Sequence, residues 1–170
     1  SLQYTAANTR LVEAVFCDVA IRPQSFGDWK VSVQDKLFRS PEPVFRPSSV
    51  AIVGASETGG AGWAANVHDN IKHAGFPVEL YLVNPRRAEL WGRPCYPSLA
   101  KLPKSVDLAI VIVPADTVAD ILAEGSESGL KSAIIYAAQF GEGGDEIGAV
   151  RGRRLRELSV QKGLRICGPN

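Results

Sequence analysis

The sequence has no methionine, only three cysteines and two histidines, and almost no net charge. Its 19 basic and 18 acidic residues are interspersed and leave a formal charge of +1. The chain therefore lacks the basic patch that nucleic-acid-binding proteins carry. No apolar run reaches the roughly 18 residues that cross a bilayer, and the opening SLQYTAANTR lacks the basic-then-apolar order of a signal peptide. We predict a soluble, cytoplasmic protein that binds neither nucleic acid nor membrane.

The cysteines also exclude two kinds of site. Cys17, Cys95 and Cys167 lie far apart, are odd in number and form no CxxC pair. That pattern argues against a disulfide framework and against a zinc site, so we predict reduced thiols and no metal. Because methionine is missing and the loop-like ending ICGPN follows an apolar stretch, we expect a piece of a longer protein.

Residues 1–47 differ in character from the rest. They hold four of the eleven prolines, and they show no sustained hydrophobic period beyond a possible helix over 9–19 and a short strand over 29–33. We interpret this part as an irregular N-terminal extension or linker, followed by one domain over residues 48–170.

From residue 48, apolar runs of strand length alternate with segments of helix length. Runs such as LAIVIV and AIIYAA are apolar on both faces, as the central strands of a parallel sheet are. The alternation predicts right-handed βαβ units in an α/β fold, namely a Rossmann-like doubly wound parallel sheet of about five strands. The predicted strands are 50–53, 79–83, 108–113, 132–136 and 164–166. The predicted helices are 62–74, 117–128 and 146–162, with a helical turn near 96–102.

A glycine-rich turn follows the first predicted strand, in the stretch GASETGGAG from Gly54 to Gly62. Its four glycines permit positive φ angles or close backbone contact. Ser56 and Thr58 add hydroxyl groups, and the helix that starts near Gly62 points its positive end at the same place. This arrangement predicts a site for a phosphate or diphosphate.

The end of the second predicted strand bears on which phosphate compound binds. A nicotinamide enzyme places an acidic residue there against the adenosine ribose, whereas this sequence reads YLVNPRR. Asn84 replaces the acid, and Arg86 and Arg87 follow, which favours a phosphate on the ribose. The match to GxGxxG is also imperfect, because Ala and Ser follow Gly54. NADP and coenzyme A both fit these residues.

Two further strand ends are open to a ligand. In VIVPADT the proline removes a backbone donor and turns the chain, which leaves an apolar lip of Val113, Pro114 and Ala115 against which an adenine or a pantetheine arm could lie. The fourth predicted strand ends in YAAQFGEGGD, where small residues precede a glycine-rich loop. Since ligands of such sheets bind outside the carboxyl ends of the strands, these loops belong to the same candidate site.

Six short motifs carry a family resemblance: SVAIVGAS, VNPRR, CYPSL, DLAIVIVPA, AAQFGE and GPN. In order and spacing they resemble the CoA-binding domain of the NDP-forming acyl-CoA synthetases, a family similar to the succinyl-CoA synthetase alpha subunit. The resemblance covers about residues 44–170. The cofactor-binding residues that we predict from it are Gly54, Ala55, Ser56, Thr58, Gly59, Asn84, Pro85, Arg86, Arg87, Val113, Pro114, Ala137, Ala138 and Gln139.

The resemblance implies a function for the whole protein. The family forms a thioester from a carboxylic acid, CoA and ATP by way of an acyl phosphate and a phosphohistidine. The histidine and the ATP-grasp module lie in domains that are absent from this chain, and with them the sites for ATP, ADP and magnesium. The family often has glycine where this sequence has Gln139. We therefore expect the 170-residue chain to bind CoA without turnover and without a catalytic residue of its own. An ATP-grasp partner or a homo-oligomer is implied.

Two alternatives remain open at this point. One is an NADP-dependent oxidoreductase, although no Tyr/Lys or His pair suited to hydride transfer is evident. The other is a stand-alone module that senses CoA or a nucleotide and has no enzyme activity.

Several conspicuous residues have ordinary explanations. His68 and His73 are predicted to be helix histidines without a catalytic role, and Asp145 suits the start of a helix through the macrodipole. The run RGRRLRE from Arg151 is predicted to be a solvated helix face. Trp63, just inside the first helix of the domain, is predicted to be a packing residue.

Overall fold

The computed structural model describes residues 40–57 and 62–169 of the chain. The predicted helix 9–19, the predicted strand 29–33, and Thr58 and Gly59 of the predicted site lie outside these ranges. The described elements, in chain order, are α1 Glu42–Phe45, β1 Ser49–Val53, α2 Trp63–His73, β2 Glu79–Val83, β3 Glu89–Leu90, β4 Arg93–Tyr96, a 3-10 turn Leu99–Lys101, β5 Leu108–Val111, α3 Ala115–Glu127, β6 Ser132–Ile135, α4 Glu146–Lys162 and β7 Arg165–Cys167.

These strands form one sheet in the order β3-β4-β2-β1-β5-β6-β7. Every neighbouring pair is parallel except β3 with β4. The six parallel strands thus follow the Rossmann order, in which β1 pairs with β2 on one side and with β5 on the other. The predicted Rossmann-like, doubly wound α/β fold is confirmed.

The sheet has seven strands where about five were predicted, and the β3–β4 hairpin supplies the two that were not expected. The hairpin turns through Trp91 and Gly92, whose φ angles are 51° and 69°. Two positive φ angles are typical of a type I′ turn, which normally has Asn-Gly at these positions. A tryptophan in place of asparagine removes that signal, and strands as short as β3 show no readable alternation.

The central strands are buried on both sides because helices cover both faces of the sheet. Ala51 and Val53 of β1 pack on the same face as Val118 and Leu122 of α3. Ile52, which alternates with them, packs on the opposite face against α2. This alternation between two apolar layers explains why β1 and β5 read as continuous apolar runs.

Helix ends follow local rules where the sequence provides a cap. Asp145 precedes α4, and its side chain accepts a 2.6 Å hydrogen bond from the backbone N–H of Gly148, as an N-cap residue does. The helix-start role of Asp145 is therefore confirmed. Helix α3 begins at Ala115, two residues before its predicted start, and Pro114 occupies its N-cap position.

Asp107 connects the segment before β1 to the sheet. Its carboxylate accepts a 2.8 Å hydrogen bond from the Ser48 N–H and pairs with the Lys131 ammonium at 2.7 Å. The hydrogen bond from Lys131 holds the pKa of this carboxyl below its usual value, and the Ser48 N–H acts in the same direction. The Ser132 hydroxyl donates to the Asp107 carbonyl oxygen at 2.7 Å and lies 3.0 Å from that of Pro43 in α1.

His68 lies on the inner face of α2 and is only 2% exposed. Its ring stacks on Trp91 with 4.4 Å between centroids, and its Nδ1 lies 3.0 Å from an Asp69 carboxylate oxygen. Its Nε2 has no hydrogen-bond partner among the described residues. Because the Trp91 turn precedes β4, His68 contacts the hairpin at the amino end of the parallel strands, away from their carboxyl ends.

Of the helices in the described ranges, none combines the length and hydropathy that crossing a bilayer requires.

Candidate functional site

The carboxyl ends of β1, β2, β5 and β6 bring the predicted site residues to one edge of the sheet. The loop after β1 carries Gly54–Ser56, the loop after β2 carries Asn84–Arg87, and the segments after β5 and β6 carry Val113–Pro114 and Ala137–Gln139. Between β1 and β5 the strand order reverses direction. In doubly wound sheets, ligands bind outside the strand ends at such a switch point.

Gly54 ends β1 in a conformation that excludes a side chain. Its φ is +84°, and a Cβ built on it would lie 2.1 Å from the carbonyl oxygen of Ile112. Its N–H donates to the Val83 carbonyl oxygen at 2.9 Å, and the Ala55 N–H points to the same oxygen at 3.2 Å. The first loop is therefore held between the ends of β2 and β5.

The side-chain amide of Asn84 joins the first and second loops. Its Nδ2 donates to the carbonyl oxygen of Ala55 at 2.7 Å, and its Oδ1 accepts from the Arg86 N–H at 2.8 Å. The second contact is an Asx turn, in which a side chain replaces a backbone acceptor. Asn84 thus fixes where the second loop begins relative to the glycine turn.

Arg86 and Arg87 follow Asn84, and both are exposed. Apart from the Asx turn, the Arg87 N–H donates to the Asn84 carbonyl oxygen at 3.4 Å. Within residues 40–57 and 62–169, neither guanidinium group forms an ion pair. Guanidinium groups form charge-assisted, often bidentate hydrogen bonds with phosphate, and this is the chemistry that the two arginines offer here.

The loop after β6 has a left-handed backbone at a residue other than glycine. Gln139 has φ 76°. The Glu142 carboxylate accepts from the N–H groups of Gln139 and Phe140, the latter at 2.6 Å. These backbone donors, that of Gln139 first, hold the pKa of Glu142 below its usual value. The positive φ gives a physical reason for glycine to suit this position.

Arg151 links this loop to the start of α3. Its Nη1 donates to the Gln139 carbonyl oxygen at 3.2 Å, and its Nη2 pairs with the Asp116 carboxylate. The Arg151 side chain is 20% exposed, so the prediction of a solvated face was wrong for this residue. No local signal identifies Arg151, because Asp116 lies 35 residues earlier in the sequence.

Two aromatic side chains that lie next to the predicted site residues in the sequence had no predicted role in binding. Trp63 is 52% exposed and Tyr136 is 38% exposed, and their ring centroids lie 5.7 Å apart at an angle of 51°. The prediction that Trp63 is a packing residue was therefore wrong. Together with Ile134 and the segment Cys167–Pro169, they line a cavity of about 450 Å³.

The described residues lack the side-chain groupings that bind metal ions. Among residues 40–57 and 62–169, no three His, Cys, Asp or Glu side chains are grouped so that they could hold a metal ion.

Comparison with known proteins gives consistent matches. A family model described as a CoA binding domain matches residues 48–170. The chain is 41% identical over 127 residues to acetate–CoA ligase [ADP-forming] II of Archaeoglobus fulgidus. The matched region covers 75% of this chain and 19% of that protein. It is 37% identical over 136 residues to the alpha subunit of acetate–CoA ligase [ADP-forming] I of Pyrococcus furiosus. The matched region covers 77% of this chain and 29% of that subunit.

Among solved structures, the chain is similar to the dinucleotide-forming acetyl-coenzyme A synthetase 1 of Ca. Korarchaeum cryptofilum in complex with phosphate and ADP. The identity is 33% and the TM-score 0.65, covering 76% of this chain and 27% of that one. The chain therefore spans about a fifth to a third of the length of these relatives.

Proposed function

This chain belongs to the family of CoA-binding domains homologous to the alpha subunit or domain of ADP-forming acyl-CoA synthetases, and from that membership we propose how it holds the cofactor. Coenzyme A is the cofactor of the domain. The observation that carries the proposal is the joining of two loops by Asn84. It brings the glycine turn at Gly54 beside two arginines without carboxylate partners in the described structure.

The glycine turn binds the diphosphate of CoA. Gly54 turns the chain where no side chain fits, and α2 begins at Trp63, shortly after this turn in the sequence. The N-terminus of a helix favours an anion, because its backbone N–H groups and its dipole point at the ligand. We assign Gly54, Ala55 and Ser56 to this subsite, and also Thr58 and Gly59, which lie outside the described ranges.

The second loop binds the 3′-phosphate of the adenosine. Asn84 and Pro85 set the course of the backbone, and Arg86 and Arg87 supply the charge. NADP also carries a phosphate on its adenosine ribose, so these arginines alone do not separate the two cofactors. Membership of the CoA-binding family decides for CoA.

The remaining part of CoA crosses the switch point. The adenosine end is held at β2 and the diphosphate at β1, so the pantetheine arm runs over the ends of β5 and β6. There Val113 and Pro114 offer an apolar lip, and the small side chains of Ala137 and Ala138 permit close approach. Gln139 continues this wall. Its backbone N–H donates to the Glu142 carboxylate, and its carbonyl oxygen accepts from Arg151.

The chemical contribution of the domain is to position the thiol. When bound, CoA supplies that thiol as the nucleophile for an acyl group. The loops of this chain restrict the arm to one path, which lowers the entropy cost of reaching the acyl donor. Activation of the acid with ATP belongs to domains outside this chain, by analogy with the named activities of its relatives.

Calorimetric titration with CoA, dephospho-CoA and NADP⁺ tests the proposal. CoA should bind, and affinity should fall when the 3′-phosphate is absent. Arg86→Ala or Arg87→Ala should weaken CoA binding by about 1.5 to 3 kcal/mol, as expected for a charged hydrogen bond, while leaving dephospho-CoA unaffected. Arg153→Ala, an exposed arginine on α4, is the matched control and should change nothing. Binding of NADP⁺ without CoA, or equal affinity for CoA and dephospho-CoA, would contradict the assignment.

A further inference from the structure

The cavity beside Trp63 and Tyr136 adjoins the CoA site on two sides. Trp63 is the first residue of α2, directly after the glycine loop. Tyr136 immediately precedes Ala137 in the loop after β6. The segment Cys167–Pro169 lines the cavity at the end of β7. A ligand that follows the proposed path of CoA therefore arrives at this cavity.

The direction of that path identifies which end of CoA reaches the cavity. Under the proposed function, the phosphate groups are held at the ends of β1 and β2. The strand order places β6 and β7 on the opposite side of the switch point. The cavity thus lies on the side of the thiol, where an acyl group would be attached in a CoA thioester.

The lining of the cavity determines the chemistry of that acyl group. Trp63 and Tyr136 present exposed ring surface at a tilt of 51°, and Ile134 adds an aliphatic wall. No charged side chain lines the cavity among the described residues. Flat apolar surfaces of this kind pack against aromatic rings, and large exposed aromatic side chains at a cavity commonly mark a ligand site.

The cavity has room for a larger group than acetyl. A volume of about 450 Å³ falls within the range of roughly 300 to 1,000 Å³ typical of pockets for drug-sized ligands. An acetyl group would leave most of both rings exposed to water. We propose, on the basis of the proposed function, that Trp63 and Tyr136 receive a planar, apolar acyl group of a CoA thioester, such as an aryl or arylalkenyl group.

The test compares CoA, acetyl-CoA and benzoyl-CoA by calorimetry on the chain. Benzoyl-CoA should bind about tenfold more tightly than CoA, because an aromatic contact adds to the buried apolar area, and acetyl-CoA should resemble CoA. Trp63→Ala and Tyr136→Ala should each abolish most of this preference and leave the affinity for CoA unchanged. Phe45→Ala removes a 62% exposed ring on α1 and should leave the preference intact.

The outcomes separate this inference from the proposed function. Binding of CoA and benzoyl-CoA with equal affinity would overturn the inference and leave the CoA site standing. A preference for benzoyl-CoA that survives both Trp63→Ala and Tyr136→Ala would overturn the placement of the acyl group. Failure of all three ligands to bind would overturn both proposals. Unchanged CoA affinity in a variant shows that the variant is folded.

Discussion

The α-carbon of Gly54 faces the carbonyl oxygen of Ile112, and a Cβ at Gly54 would lie 2.1 Å from that oxygen. Gly54 directly follows the central strand β1, and Ile112 directly follows its neighbour β5. The Ile112 N–H in turn donates to the Val53 carbonyl oxygen at 2.9 Å. Their contact fixes the backbone at the point where the strand order reverses, so a side chain here would alter both the fold and the site.

We expect Gly54→Ala to lower the free energy of unfolding by about 3 kcal/mol, since a positive φ and a backbone clash act together. Gly75→Ala is the matched control. Its φ is +62°, but a Cβ there meets nothing within 4 Å. That variant should lose only about 1 kcal/mol. Urea denaturation measures both values, and equal losses would show that the contact with Ile112 relaxes without cost.

Asn84→Ala should weaken CoA binding although the substitution leaves both arginines in place. It removes the hydrogen bonds to Ala55 and Arg86 that join the two loops. We expect about 1 to 2 kcal/mol less stability and a several-fold higher Kd for CoA. Asn70→Ala on the exposed side of α2 serves as the control. Unchanged affinity in Asn84→Ala would mean that the arginines find the phosphate without this support.

Gln139→Gly should stabilise the protein, because glycine adopts a φ of 76° without a steric penalty. The expected gain is about 0.5 to 1 kcal/mol after the greater entropy loss of glycine is counted. Gln161→Gly in α4 makes the same change in a helix and should cost up to about 1 kcal/mol. Thermal and urea unfolding of the two variants measure the expected gain of stability in Gln139→Gly and the expected loss in Gln161→Gly. A loss of stability in Gln139→Gly would show that its side chain makes a compensating contact.

Asp107 should make stability depend on acid pH. Its pKa is lowered in the folded protein, mainly by the hydrogen bond from Lys131, so its contribution is present above the unfolded value of about 4 and is lost as the pH falls through the folded value. Asp107→Asn should therefore cost stability at pH 7, and this cost should shrink as the pH falls below about 4. Asp120→Asn is the control, because Asp120 lies at an exposed position of α3 and its ion pair with Arg154 is also exposed. Urea denaturation of wild type and both variants at a series of pH values from acid to neutral measures this pH dependence. A constant difference between wild type and Asp107→Asn would contradict the linkage.

Much of the fold could be predicted because the strands are apolar on both faces. Strand β2 has the predicted bounds, and β1 and β6 differ by one residue at an end. Strand β5 ends at Val111, two residues before its predicted end, since the apolar run continues into the turn that leads to Pro114. The β3–β4 hairpin could not be predicted, because its turn has tryptophan where the usual signal is asparagine.

The loops of the site were predictable, whereas the contacts that organise them were not. Glycine and arginine at strand ends are visible in the sequence. The bond from Asn84 to Ala55 spans 29 residues, and its existence depends on how β1 and β2 pair. The Trp63–Tyr136 contact likewise requires α2 and β6 to meet in space. The individual cofactor contacts remain predictions.

The pairing of β1 has a consequence for how the chain folds into a form that binds CoA. Its partners β2 and β5 lie far along the chain, and parallel pairings between distant segments form slowly because long loops must close first. A chain cut before β5 would retain the glycine turn and both arginines, yet it would lack the carbonyl against which Gly54 rests. Under the proposed function, we therefore expect CoA binding to return during refolding only when the central sheet is complete.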